Sequence, residues 1–168
     1  MNFLIRAETA ADVAAIHAVI KAAFLDAPHT SHVEQFIVDT LRAAGMLSIS
    51  LVAEIDGVVV GHAAVSPVSI SDGSPGWFGF GPISVAPDYQ RRGIGSDLMR
   101  ETLRLLRQRD ASGCVLVGEP DFYSRFGFKP EEALILPYVP SEYFQAVSFD
   151  NVFPRGIVTF HPAFSVRS

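Results

Sequence analysis

Two hydrophobic periods alternate along this chain, and the places where one gives way to the other mark its elements. Residues 2–8 read as a short strand. Thr9 and Asp12 then form a Thr-x-x-Asp helix start, and Val13, Ile16, Ile20 and Phe24 recur on one helical face. A second helix start runs from Ser31 to Glu34, with Val33, Phe36, Ile37 and Leu41 at helical spacing and Gly45 placed to stop it. The runs LSISLVAEI and VVVGHAAVS follow, flanking Asp56-Gly57; a type I′ turn needs two residues that tolerate positive φ, so the pair predicts an antiparallel hairpin.

A polar link over residues 71–76 leads to WFGFGPISV, a third apolar run that ends at Ala86-Pro87, because proline cannot donate to a ladder. From Ile94, the residues Leu98, Met99, Leu103, Leu105 and Leu106 fill an apolar side, and Asp97, Arg100, Arg104 and Arg107 a polar one, which predicts an amphipathic helix. Gly113 and the strand CVLV come next. Gly118-Glu119-Pro120 breaks that strand, residues 121–126 suit a short helix, and Gly127 stops it. Further strands are expected at residues 133–136, 143–149 and 156–161. The pattern is α+β and mostly antiparallel, with a strand–helix–strand unit over residues 77–117. Without repeats, low-complexity tracts or long linkers, residues 1–168 are expected to form one domain.

Composition narrows the class. A net charge of -5 argues against a general nucleic-acid binder, since the phosphate backbone rewards a basic surface. The single cysteine, Cys114, leaves no disulfide framework or cysteine-cluster metal site, and fits a reducing cytoplasm. The N-terminus lacks a signal-peptide core, and no apolar run approaches the roughly 18 residues of a membrane span, so no membrane association is expected. Five scattered histidines without paired spacing predict no metal site.

The chemistry concentrates in ISVAPDYQRRGIGS, residues 83–96. Its last residues lie between a strand and a helix, where unpaired backbone N–H groups and the helix macrodipole favour an anion. Gly93 and Gly95 permit close approach to the main chain, and Arg91 and Arg92 add positive charge, so a pyrophosphate-bearing ligand is the natural guest. Two common nucleotide loops do not fit. Gly76 and Gly81 have P-loop spacing, but Pro82 stands where lysine belongs; Gly79 and Gly81 open a dinucleotide fingerprint, but Ser84 holds its third glycine position.

The segment Gln90-Arg91-Arg92-Gly93-Ile94-Gly95 resembles the Gln/Arg-x-x-Gly-x-Gly/Ala loop of the GNAT superfamily of N-acetyltransferases, and Tyr123-Ser124-Arg125-Phe126-Gly127-Phe128 resembles that superfamily's Tyr-x-x-x-Gly-Phe ending. The resemblance covers about residues 2–128, and residues 133–164 are similar to a bacterial branch of predicted N-acetyltransferases. It implies a three-layer fold, with a mixed, mostly antiparallel central sheet and helices on both faces. It also implies acetyl coenzyme A (acetyl-CoA) as cosubstrate, an amine acceptor on a small molecule or protein, and the dimers common in the family.

By the same resemblance, Ile83, Ser84 and Val85 align the pantetheine arm through main-chain groups. Gln90, Arg91, Arg92, Gly93, Ile94, Gly95 and Ser96 hold the pyrophosphate, and Tyr123 is the general acid. Gly118-Glu119-Pro120 departs from the asparagine-containing stretch of many members. The base stays open among Glu119, Asp121, His62 and a water chain, with turn and capping roles favoured for the carboxylates and a strand hydrogen bond for His62. His29, His32 and Glu34 fall where this superfamily lines its acceptor site, although Glu34 also completes a capping box with Ser31. Cys114 reads as an inert core thiol. The alternative to an enzyme is a non-catalytic acyl-CoA-binding or sensing module.

Overall fold

The computed structural model describes residues 2–27, 30 and 32–165. In chain order the strands are β1 (Leu4–Ala7), β2 (Ile49–Ile55), β3 (Val58–Pro67), β4 (Ser69–Ile70), β5 (Trp77–Val85), β6 (Gly113–Val117), β7 (Lys129–Pro130), β8 (Leu134–Ile135), β9 (Phe144–Ser148) and β10 (Gly156–Thr159). The helices are α1 (Val13–Phe24), α2 (Glu34–Ala43), α3 (Ile94–Gln108) and the single turn α4 (Pro120–Tyr123). Among the described residues, seven strands form a sheet in the order β1-β2-β3-β5-β6-β9-β7, and β4-β10-β8 form a smaller one. The large sheet is antiparallel except where β5 runs parallel to β6 across the α3 connection.

Strand alternation decides which helix each residue meets. Leu51, Ala53, Ala63 and Val65 pack with Leu98, Met99 and Leu106 of α3, whereas Val52 and Ala64 pack with Ile16 and Ile20 of α1 and Val38 of α2. The sheet is thus covered on both faces, as the three-layer expectation requires. Leu98 is fully buried, and truncating it to alanine would cost about 2–5 kcal/mol in lost transfer energy and residual cavity. The hairpin forms at its predicted turn, with φ of 49° at Asp56 and 80° at Gly57. The Thr9 start also forms, its N–H donating to the Asp12 carboxylate at 2.7 Å. Ser31, on which the second predicted capping box depends, lies outside the described residues.

The tail differs from its sequence reading in a way that matters for the site. The strand expected over 133–136 shrinks to β8 and pairs parallel with β10, and β10 in turn pairs with β4. The polar link after β4 holds this small sheet in place: Asp72 Oδ2 accepts the Arg155 N–H at 3.0 Å, and Ser71 Oγ accepts the Ile157 N–H at 2.8 Å. Polar composition marked the link as a turn, but its bonds reach partners more than eighty residues away.

Candidate functional site

The site begins where two parallel strands part. β5 pairs with β6 only at Trp77, Phe78 and Gly79, while on its other side it stays paired with β3 as far as Val85. The Ala86 N–H donates to the Val60 carbonyl at 2.8 Å. Antiparallel alternation therefore turns the main-chain groups of Ser84 toward β3 and those of Ile83 and Val85 toward the open edge. The Val85 carbonyl accepts from Gln90 Nε2 at 3.0 Å, so the Gln90 side chain latches the following loop to this edge. The Ser84 hydroxyl is buried without a protein partner on the opposite face of the strand.

The loop enters α3 through two left-handed residues, Arg91 at φ 65° and Gly93 at φ 86°. The first helical bond runs from the Asp97 N–H to the Gly93 carbonyl at 3.1 Å, which leaves the N–H groups of Ile94, Gly95 and Ser96 without intrahelical acceptors. A Cβ on Gly93 would meet nothing within 4 Å. On Gly95 its nearest neighbours would be Ile83 Cδ1 at 3.9 Å and Phe122 Cζ and Val85 Cγ2 at 4.0 Å. The helix start therefore stands beside the open edge of β5 with bare backbone facing outward. Arg91 and Arg92 are exposed there, and the Arg92 guanidinium lies 5.5 Å from the centre of the Tyr89 ring. Arg125, stacked over Phe122 at 5.3 Å, donates to Ser96 Oγ at 3.4 Å. Three guanidinium groups around unpaired N–H donors suit a ligand with several phosphate charges. Ile94 contributes only main chain, because its side chain is buried under Gly61.

Opposite the loop stands α4. Tyr123 packs edge-on against Phe122 with ring centres 4.9 Å apart, and meets Phe80 and Phe128 at 6.4 and 6.3 Å. Loss of hydration in this aromatic nest raises its pKa to about 12, so the hydroxyl keeps its proton at every ordinary pH. Glu119 is exposed and makes no side-chain cap; its carbonyl instead accepts the N–H groups of Phe122 and Tyr123, both at 3.2 Å. Asp121 is also exposed.

Tyr123 and Ile83 line a cavity of about 1050 Å³. Its walls are largely apolar: Phe24 from α1, Ile37 from α2, Pro82 from β5, and Leu136, Val139 and Phe160 from the tail. Glu34 also lines it and accepts from Thr30 Oγ1 at 2.8 and 2.7 Å. Residues 90–96 of the loop do not line it, whereas Ile83, beside the helix start at Gly95, does.

Other candidates fall away from this junction. His62 is fully buried; its Nε2 lies 2.8 Å from Ser50 Oγ, and Ser50 in turn donates to Glu8, which Arg42 grips with two bonds of 2.9 and 2.8 Å. Burial lowers the His62 pKa to about 4 and keeps the ring neutral. Burial drives the Cys114 thiol far above its usual range. His32 is exposed, and His29 lies outside the described residues. Among the described residues no group of three His, Cys, Asp or Glu is placed to hold a metal ion, and no helix is long and apolar enough to cross a membrane.

Sequence reading missed the Gln90 latch and the Arg125 contact. For both, the only signal was a polar residue near the loop and an arginine inside the Tyr-x-x-x-Gly-Phe segment.

Residues 47–130 match the family model described as an acetyltransferase (GNAT) domain. The uncharacterized N-acetyltransferase YhbS of Escherichia coli K12 is 35% identical over 127 residues, covering 75% of this chain and 73% of that protein. A crystal structure of a GNAT family acetyltransferase from Brucella melitensis in complex with acetyl-CoA superposes with a TM-score of 0.87 at 45% identity, covering 97% of this chain and 98% of that one. The structure of YhbS from Escherichia coli in complex with CoA gives a TM-score of 0.90 at 30% identity, covering 100% and 94%.

Proposed function

Since the chain belongs to the GNAT acetyltransferase family, we propose that residues 1–168 act as one domain that transfers an acetyl group from acetyl-CoA to a primary amine. One observation carries this reading: the bare start of α3 packs beside Ile83 and Val85 on the open edge of β5, and Ile83 and Tyr123 line the same cavity.

Each part has a task. The N–H groups of Ile94, Gly95 and Ser96, with Arg91, Arg92 and Arg125, hold the pyrophosphate. The main-chain groups of Ile83 and Val85 align the pantetheine arm along the edge that β6 leaves open. Acetyl-CoA, when bound, supplies an activated thioester. Tyr123 holds a proton at Oη for the departing sulfur. With its pKa at about 12, full transfer to a thiolate of about 8.5 would be uphill on its own. The proton that the amine loses in the same reaction offsets that cost. The hydroxyl therefore acts as a hydrogen-bond donor whose proton is replaced as it is given.

Binding and transfer are tested separately. Coenzyme A should raise the melting temperature of the wild-type protein, because a ligand that binds only the native state stabilises it. Gly95→Asp, which sets a carboxylate among the phosphate donors, should abolish that rise. Thiol release from acetyl-CoA against a panel of primary amines then measures transfer. Stabilisation without release across the panel would instead favour an acyl-CoA sensing module.

A further inference from the structure

The walls of the cavity carry information about the acceptor that the acetyltransferase reading, on which this inference rests, does not supply. Most of them lie outside the family match over 47–130: Phe24 and Ile37 come from the first two helices, and Leu136, Tyr138, Val139 and Phe160 from the tail. The small sheet β4-β10-β8 and its bonds to Ser71 and Asp72 hold part of this wall against the open end of β5.

Among the described residues that line the cavity there is no lysine or arginine, and Glu34 contributes a carboxylate. His161 Nδ1 accepts the Ala163 N–H at 3.0 Å. A carboxylate on the acceptor would meet no lysine or arginine among the described lining residues and would face Glu34. An ammonium group would be attracted. The volume of about 1050 Å³ is ample for a ring or branched alkyl body, and the apolar walls reward burying one.

We infer that the acceptor is a small primary amine carried on an aromatic or branched-alkyl body and lacking a carboxylate. Glu34 is the one carboxylate among the described lining residues, which disfavours a polyamine, whose further ammonium groups would be desolvated without carboxylate partners there. The reaction stays balanced: the amine nitrogen bonds to the acyl carbon, the carbon–sulfur bond breaks, and one proton passes from nitrogen to sulfur. An acceptor entering as ammonium first releases one more proton to solvent.

The test compares 2-phenylethylamine, phenylalaninamide, phenylalanine and spermidine as acceptors, with coenzyme A binding followed by thermal shift. The two carboxylate-free aromatic amines should exceed phenylalanine in kcat/KM by about tenfold or more. Glu34→Gln should narrow that gap. Tyr138 is fully exposed at the mouth, and Tyr138→Ala should raise KM for 2-phenylethylamine without moving KM for acetyl-CoA. Turnover of phenylalanine or spermidine that equals or exceeds that of 2-phenylethylamine would overturn this inference while leaving acetyl transfer intact. An unchanged gap in Glu34→Gln would overturn the assigned role of the carboxylate. Silence with all four amines, coenzyme A still binding, would overturn the acceptor class, and thiol release with other primary amines of the wider panel would then leave acetyl transfer standing.

Discussion

The ring of Tyr123 rests directly on the backbone of Gly118, so closely that a Cβ at that glycine would overlap Tyr123 Cε2. Gly118 cannot move aside easily. Its N–H donates to the Tyr143 carbonyl and its carbonyl accepts from Gln145 Nε2, both at 3.0 Å. The glycine that ends β6 therefore fixes how far the tyrosine swings toward the mouth of the cleft.

Gly118→Ala should consequently displace the tyrosine. Overpacking of this kind costs about 1–3 kcal/mol of stability, and turnover should fall while the affinity for coenzyme A, proposed to rest on the α3 start, changes little. Thermal denaturation and steady-state kinetics on one preparation check both effects.

The buried histidine predicts a pH signature in stability. His62 is held near pKa 4 in the folded protein against an ordinary value of 6.5, so the unfolded chain binds more protons between those values. Its stabilising contribution is complete above pH 6.5 and is lost as pH falls toward 4, amounting to on the order of 3 kcal/mol. Denaturant melts from pH 7 to 4.5 should show this decline, and His62→Gln should flatten it. The paired carboxylates Glu8 and Asp12, whose folded pKa values are lowered, lose their contributions at more acidic pH, below the ordinary carboxylate range.

Cys114 should be silent as an acetyl carrier. It is fully buried between β5 and β9, and burial holds its thiol protonated. The native protein should resist thiol reagents that label it fully in denaturant, and Cys114→Ala should retain acetyl transfer at close to the wild-type rate.

The parts legible in the sequence were those encoded by neighbours. Asp56-Gly57 makes its own hairpin turn, Gly93 and Gly95 stand within three residues of one another at a helix start, and Tyr123 lies four residues before the helix-stopping Gly127. The parts that stayed hidden depend on long-range register. Nothing around Ser71 signals that it will meet Ile157, and the parallel β8–β10 pair is too short for periodicity to reveal it. The same holds for the path from Arg42 through Glu8 and Ser50 to His62, whose members come from four elements or their flanks. Gly118 is legible only as a strand breaker; its service to Tyr123 requires the folded ring.

The most direct test of the account is the rate of thiol release from acetyl-CoA by wild type and Tyr123→Phe, measured with 2-phenylethylamine at saturating cosubstrate from pH 6.5 to 10. Phenylalanine preserves the ring packing, so stability and coenzyme A binding should hold while turnover falls about a hundredfold. The wild-type rate should show no alkaline loss assignable to Tyr123, since its hydroxyl keeps its proton to about 12. Full turnover by Tyr123→Phe with an unchanged pH profile would contradict the role assigned to this residue.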